Sequence, residues 1–167
     1  MSEIAVIKHG RDYKKLNSGN IPVYGSGGVM TYVDTYSYNK PTVLIPRKGT
    51  IKNLFYLEIP FWNVDTIFYT EIDTTHIVPK FLYYFMRTVD LSSLDTGSGR
   101  PSLTMQILNK IKIPIPTLEE QNRIVSILDK FDALVSDISE GLPAEISARR
   151  KQYEHYRNKL LTFQENA

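Results

Sequence analysis

The sequence predicts an α+β fold, in which a β-rich, mixed α/β domain is followed by long C-terminal helices that form a coiled coil. Short apolar runs separated by Gly, Pro, Asn and Asp occupy most of the first 116 of the 167 residues, a pattern typical of strands and turns. Two prolines then enforce an extended backbone at residues 113–116. Beyond them apolar residues recur at heptad spacing. We therefore place one domain at residues 1–116 and a helical region at 117–167.

The strands of the first domain are predicted from short stretches of apolar or alternating residues bounded by turn residues. They lie at Ile4–Lys8, Ile21–Tyr24, Met30–Val33, Thr42–Pro46, Leu54–Ile59, Thr66–Tyr69 and Lys112–Ile115. Pro79–Val89 is predicted to be a helix, because proline is favoured in a first turn and the apolar residues that follow have helical spacing. A second, short helix is predicted over Thr104–Asn109.

The helical region is predicted to begin at Thr117, which with Glu120 forms a capping box. The first helix spans about residues 118–139, a break follows at 141–143, and a second helix spans about residues 144–163. The seam of the first helix consists of Ile124, Leu128, Phe131, Val135 and Ile138. The two helices could form a hairpin or one kinked rod, and the sequence is compatible with both. Their apolar stripe requires a partner, which is either the first domain or another chain.

The composition is that of a soluble globular protein, with 42% hydrophobic and 23% charged residues and a mean hydropathy of −0.25. The chain has no cysteine, which excludes disulfides, thiolate nucleophiles and cysteine-ligated zinc. No apolar run approaches the roughly 18 residues of a membrane span, and the first residues do not resemble a signal peptide. We expect a cytoplasmic protein with no membrane partner.

The positive charge is concentrated in the first part of the chain. The net charge is +2 overall, whereas residues 1–60 carry eight basic and four acidic residues and residues 117–167 carry seven basic and nine acidic ones. Nine of the eleven tyrosines lie in the first 84 residues. A basic face with interleaved aromatic residues attracts a polyanion. An ordinary solvated surface would give the same charge count, so charge alone does not distinguish it from a face that binds a polyanion.

Sequence motifs for catalysis are absent. The three histidines are far apart in sequence, which argues against a transition-metal site, and there is no nucleophile elbow, phosphate loop or complete dinucleotide fingerprint. No adenosylmethionine or N-P-P-[FY] motif of a DNA methyltransferase is present. The acidic residues Asp65, Glu71 and Asp73 have no adjoining lysine and are interpreted as loop and edge charges. We therefore expect a non-catalytic protein without a cofactor or metal.

Glycine-bearing turns with polar or cationic neighbours are the candidate binding elements. They lie at Gly25–Gly28, at Pro46–Thr50 and at Gly97–Ser102. Glycine lets a backbone approach a surface closely, and Arg, Lys, Ser and Thr donate hydrogen bonds to phosphate oxygens and base edges. For the two glycine-rich runs, at Gly25–Gly28 and Gly97–Gly99, a tight turn that uses glycine for a positive φ is the simpler interpretation.

Several of these segments, taken in order, resemble the specificity subunit of type I restriction-modification systems, and the resemblance covers nearly the whole chain. The motifs that carry it are residues 22–28, 47–51, 96–103, 111–116, 118–125, 139–146, 149–153 and 158–161. The resemblance implies that residues 1–116 form a target recognition domain that reads one half of a bipartite sequence in double-stranded DNA. It also implies that the C-terminal helices serve as a spacer and dock the DNA methyltransferase subunits and, through them, the restriction subunit.

Members of this family usually carry two recognition domains and two helical regions, whereas this sequence has one of each. It is therefore either a fragment of a longer subunit or a natural half-subunit that forms a homodimer. We expect Ser26, Gly27, Tyr32, Arg47, Lys48, Thr50, Ser98, Arg100 and Ser102 to face DNA. The predicted dimer or partner interface consists of Ile146, Tyr153, Tyr156, Leu160 and Phe163. The alternative from another functional class is a protein-interaction module with a helical dimerisation region that binds no DNA.

Overall fold

The computed structural model describes residues 1–95, 99, 101–133, 145, 148, 151–152 and 155. Its strands are β1 (Ala5–Lys8), β2 (Ser18–Gly25), β3 (Gly28–Val33), β4 (Thr42–Pro46), β5 (Phe55–Leu57), β6 (Trp62–Asn63) and β7 (Ile67–Ile72). Its helices are α1 (Pro79–Thr88) and α2 (Met105–Asn109), and residues 118–133 are also helical. This mixture of sheet and helix has the α+β character that the sequence predicts.

The strands form two sheets. The first is a four-stranded antiparallel sheet in the order β1-β7-β4-β5. The second has the order β3-β2-β6, in which β2 pairs antiparallel with β3 and parallel with β6. The edge strands are therefore β1 and β5 in the first sheet and β3 and β6 in the second.

The central strand β4 has all five of its residues buried, because apolar residues cover both faces of the four-stranded sheet. On one face Val43 and Ile45 join the main core with residues of α1 and α2. On the other face Leu44 packs in a smaller cluster with Phe61. A strand buried on both faces is held in place by the core, and the loop that begins at Arg47 starts directly from this strand.

Two buried threonines pin β4 to β7. Thr42 Oγ1 donates to the Thr70 carbonyl at 2.7 Å, and the Thr70 N–H donates to Thr42 Oγ1 at 3.0 Å. The Val43 N–H donates to Thr70 Oγ1 at 3.0 Å, and that hydroxyl donates in turn to the Val43 carbonyl at 3.1 Å. Both side chains are fully buried, so their hydrogen bonds avoid the cost of unpaired polar groups in the core.

One predicted strand is wrong and one observed strand was missed. Residues 112–115 are not a strand, because Pro114, and Pro116 directly after the segment, have no N–H to donate to a ladder. The short strand β6 was missed, since a strand of two residues shows no alternation of polar and apolar positions. The two predicted helices of the first domain are confirmed within one residue at each end, with Pro79 in the first turn of α1 and Thr104 capping α2.

The helix at residues 118–133 begins at the predicted cap. The Glu120 N–H donates to Thr117 Oγ1 at 3.3 Å, which is one half of a capping box. The Glu120 carboxylate instead accepts two hydrogen bonds of 2.7 Å from Arg123. The chain divides into two compact units, Met1–Val125 and Ser126–Ala167, so the first turns of this helix belong to the first unit.

A buried glutamine fixes the start of this helix to the first unit. Gln121 is fully buried, and its Oε1 accepts a hydrogen bond of 2.7 Å from the Val78 N–H. Its Nε2 donates to the carbonyls of His76 at 3.0 Å and Pro116 at 2.9 Å. All three bonds go to backbone groups, so the side chain joins the segment before α1 to the segment before the helix at residues 118–133.

Candidate nucleic-acid interface

The glycine-rich turn between β2 and β3 is fixed to neighbouring segments by two hydrogen bonds. The Ser26 N–H donates to Thr66 Oγ1 at 3.3 Å, and the Asn53 side-chain amide donates to the Ser26 carbonyl at 3.3 Å. Gly28 has a φ of 117°, a backbone conformation that side-chain-bearing residues rarely adopt. Gly27 is exposed, and nothing lies within 4 Å of the position its Cβ would occupy.

The loop that follows β4 is held on one side by the same threonine. The N–H groups of Arg47 and Lys48 both donate to the Thr66 carbonyl, at 2.8 and 3.2 Å. The loop then turns at Gly49, whose φ is 85°. On its other side the Gly49 N–H donates to the Pro101 carbonyl at 3.0 Å. The backbone of this loop is therefore anchored at both of its flanks.

The segment at residues 101–103 completes the arrangement. Lys48 and Ser102 form an isolated antiparallel bridge, and the Leu103 N–H donates to the Arg47 carbonyl at 2.8 Å. The Ser102 N–H also donates to Asp95 Oδ1 at 2.7 Å. Three loops that are distant in sequence are thus joined into one surface, two of them by backbone hydrogen bonds and the turn at 25–28 through the side chains of Thr66 and Asn53. We call it the loop surface and define it as residues 25–28, 47–50 and 101–102.

Thr66 is the residue that sequence reasoning missed at this surface. Its hydroxyl holds the Gly25–Gly28 turn, and its carbonyl holds the loop after β4. In the sequence it is simply the first residue of a predicted strand. No local pattern marks it, because its partners lie 40 residues before it at Ser26 and 19 before it at Arg47.

The loop surface carries cations, and no carboxylate of a described residue forms an ion pair with them. Lys48 and Thr50 are exposed, and Arg47 is partly exposed. The Arg47 guanidinium donates through Nη1 to the backbone carbonyl of Asp65 at 3.2 Å, which orients it while leaving its charge unpaired. Within the part of the chain that the structure describes, neither Arg47 nor Lys48 forms an ion pair. This arrangement provides positive charge and hydrogen-bond donors for an anionic ligand.

The structure brings together six of the nine residues predicted to face DNA: Ser26, Gly27, Arg47, Lys48, Thr50 and Ser102. Tyr32 is exposed but lies four residues along β3 from Gly28, about 13 Å away at about 3.3 Å per residue. Ser98 and Arg100 lie outside the described residues. The predicted interface residues also lie outside them: Ile146, Tyr153, Tyr156, Leu160 and Phe163.

The acidic residues singled out in the sequence do not form a catalytic cluster. Asp65 precedes β7, whereas Glu71 and Asp73 lie at its other end. The pKa of Asp73 is lowered from 3.8 to about 2, first by the Thr75 hydroxyl and then by His76, which both hydrogen-bond to its carboxylate. A carboxylate held in its charged form is a poor general base. Among the described residues there is no group of three or more potential metal ligands.

Replacing Gly28 by alanine is expected to destabilise the protein by about 1–2 kcal/mol, because the side chain is strained at a φ of 117°. The matched control is Gly27→Ala, which places a methyl group in open space at the next position and is expected to change stability by less than about 0.5 kcal/mol. Urea denaturation of the two variants measures the difference. Equal effects would show that the turn does not hold Gly28 in this conformation.

Comparison with known proteins places this architecture in a family. Residues 1–148 match the model of the type I restriction modification DNA specificity domain. A putative type I restriction enzyme specificity subunit of Haemophilus influenzae is 37% identical over 163 residues, which cover 88% of this chain and 42% of that protein. The specificity subunit of the type I restriction enzyme EcoR124I/EcoR124II of Escherichia coli is 45% identical over 92 residues, covering 53% of this chain and 23% of that protein.

Solved structures share the fold at low sequence identity. The S subunit of a type I restriction-modification system from M. genitalium aligns with a TM-score of 0.68 at 18% identity, covering 95% of this chain and 43% of that one. The HsdS subunit from Thermoanaerobacter tengcongensis aligns with a TM-score of 0.66 at 18% identity, covering 83% of this chain and 38% of that one.

The chain spans less than half the length of these two relatives and these two solved structures. None of the helices in the described residues is long and apolar enough to cross a membrane. The family model matches 148 consecutive residues of the 167, and these include every segment of the loop surface. The chain therefore belongs to the family of type I restriction modification DNA specificity domains.

Proposed function

We propose that this chain is the DNA-recognition component of a type I restriction-modification system and performs no catalysis itself. In this proposal the first domain reads one half of a bipartite sequence in double-stranded DNA in the cytoplasm. The C-terminal helices act as a spacer and dock the DNA methyltransferase subunits, which in turn recruit the restriction subunit.

The observation that carries this proposal is the loop surface. Its three segments are joined by hydrogen bonds that converge on the Thr66 backbone and hydroxyl and on the pairing of residues 47–49 with 101–103. A surface fixed by its backbone presents side chains in a defined geometry, which sequence discrimination requires. Arg47 and Lys48 supply the positive charge.

The two cations are proposed to have different roles. Lysine is a point charge on a flexible stem, so the exposed Lys48 suits a phosphate oxygen, which carries no sequence information. Arginine is a planar fork that matches the O6 and N7 acceptors of guanine. The guanidinium of Arg47 is already oriented by the Asp65 carbonyl, which lowers the entropy cost of such a contact.

One recognition domain reads one half-site, so a bipartite sequence requires two. The second is supplied by a second copy of this chain or by another unit in the same polypeptide. A two-fold dimer would read a palindromic bipartite sequence. In the described part of the second unit, Phe131 is 60% exposed and Ile127 is 39% exposed on successive turns of the helix, which favours a partner for this helix.

The function is tested by measuring DNA affinity of the complex with the methyltransferase subunits, on target and scrambled duplexes, between 50 and 200 mM salt. We expect tighter binding to the target and a steep decline in affinity with salt, because neutralised phosphates release counterions. Absence of binding to any duplex at low salt would contradict the proposal and favour a protein-interaction module.

The purified chain is expected to be a homodimer in light scattering, because its heptads leave an apolar stripe on the C-terminal helices. The double substitution Tyr153→Asp and Leu160→Asp places charges in that stripe and is expected to yield a monomer. The substitution Lys151→Asp, at an exposed helical residue, is the matched control and is expected to leave the dimer intact. A monomeric wild-type chain would contradict the homodimer.

A further inference from the structure

The edge strand β3 contains a β-bulge at Met30. Tyr24 pairs with Val29 and Val23 pairs with Thr31, so two neighbouring residues of β2 face three residues of β3 and Met30 has no partner. A bulge adds an unpaired residue, bends its strand and turns one side chain away from the regular alternation. Met30 is also 56% exposed, which is unusual for a long apolar side chain beside a folded core.

The side chain of Met30 lies at the border of the loop surface. Its Sδ is 2.7 Å from the position that a Cβ of Gly25 would occupy, so the thioether crosses directly over the glycine backbone. Met30 also lines an open groove of about 480 Å³ together with Lys14 and Thr66. Thr66 is the residue that joins the loops, which makes this groove continuous with the loop surface.

The adjoining loop surface, with its cations Arg47 and Lys48, favours a polyanion at this border more than a protein strand. The groove itself is mixed in charge, because its lining contains the exposed Lys14 and also Asp12 and Asp65, and the Asp12 carboxylate accepts a hydrogen bond from the Lys14 N–H. The bulge interrupts the outer edge of β3, and an interrupted edge is a poor template for another strand. DNA offers one apolar group at a base edge, the 5-methyl group of thymine in the major groove.

We propose that Met30 is a specificity-determining residue that contacts the 5-methyl group of a thymine in the recognised half-site. This inference rests on the proposed function, since it requires that the loop surface binds duplex DNA. The bulge places the Met30 thioether beyond the edge of β3, and the flexible, polarisable methionine side chain fits an isolated methyl group. The contact adds apolar discrimination to the hydrogen bonds expected from Arg47.

The test replaces each thymine of the target half-site singly by deoxyuridine, which removes only the methyl group and preserves base pairing. For the complex with the methyltransferase subunits, we expect wild-type affinity to fall about three- to tenfold at one position. Met30→Ala is expected to bind the thymine and deoxyuridine duplexes equally at that position. Ile59→Ala is the control. Ile59 is 51% exposed and follows β5, which ends beside the start of β4, whereas Arg47 follows the other end of β4.

The outcomes separate this inference from the function on which it rests. The inference is overturned if wild type prefers its target but shows no deoxyuridine effect, if Met30→Ala keeps the effect, or if the half-site contains no A·T pair. The proposed function itself fails if wild type does not distinguish target from scrambled duplex. Thermal denaturation checks that Met30→Ala is folded, as expected for an exposed side chain.

Discussion

Replacing Arg47 by alanine is expected to reduce the preference for target over scrambled duplex by about 5- to 150-fold, equivalent to about 1–3 kcal/mol. The guanidinium is oriented by the Asp65 carbonyl and has no ion pair in the described part of the chain, so its remaining donors can meet a base edge. The loss should appear at one base pair of the half-site. Equilibrium affinities for single-base variants of the target measure it.

Lys48→Ala provides the contrast within the same loop. A phosphate contact carries no sequence information, so affinity should fall on target and scrambled duplexes alike. The slope of log affinity against log salt concentration should become shallower by about one. Lys110→Ala is the matched control, because Lys110 is an exposed lysine beside Ile4, near the end of β7 remote from Thr66. Unchanged affinity in both loop variants, or an equal loss in Lys110→Ala, would contradict the assignment.

Replacing Gln121 by methionine is expected to lower the free energy of unfolding by about 2–4 kcal/mol. Methionine has nearly the same volume but neither accepts from the Val78 N–H nor donates to the carbonyls of His76 and Pro116. Because the glutamine is fully buried, these backbone groups would lose their partners where water does not replace them. Urea denaturation of the full chain, followed by fluorescence of the one tryptophan, measures the change.

Asn122→Ala is the control for this variant. Asn122 is the next residue on the same helix, is exposed, and donates from its side chain to the Leu118 carbonyl at 2.8 Å. Its loss should change stability by less than about 0.5 kcal/mol. If both variants were equally stable, Gln121 would not be the connection between the helix and the segment before α1.

Elements whose pattern is local could be predicted from the sequence. The run Thr42–Pro46 identified β4 with its observed ends, because a strand buried on both faces is continuously apolar. Thr117 identified the start of the helix at residues 118–133, since a cap depends only on a hydroxyl and the next turn. The cations of the loop surface were also found, because Arg47 and Lys48 adjoin a glycine that follows a strand.

Features that depend on distant contacts could not be predicted. Thr66 and Gln121 are ordinary polar residues in the sequence, and their importance arises from partners that lie 40 and 43 residues before them. The bulge at Met30 depends on the register between β2 and β3, which the hydrophobic pattern of β3 does not specify. Residues 112–115 alternate like a strand, but the chemistry of proline overrides that pattern.

Amide hydrogen exchange of the complex with the methyltransferase subunits, compared with and without the target duplex, tests most directly whether the loop surface binds DNA. We predict slower exchange on DNA binding in the segments 25–28, 47–50 and 101–102. We also predict unchanged exchange around Lys110, at the remote end of β7. Protection by DNA elsewhere in residues 1–125, with exchange in the three loop segments unchanged, would contradict DNA binding by the loop surface.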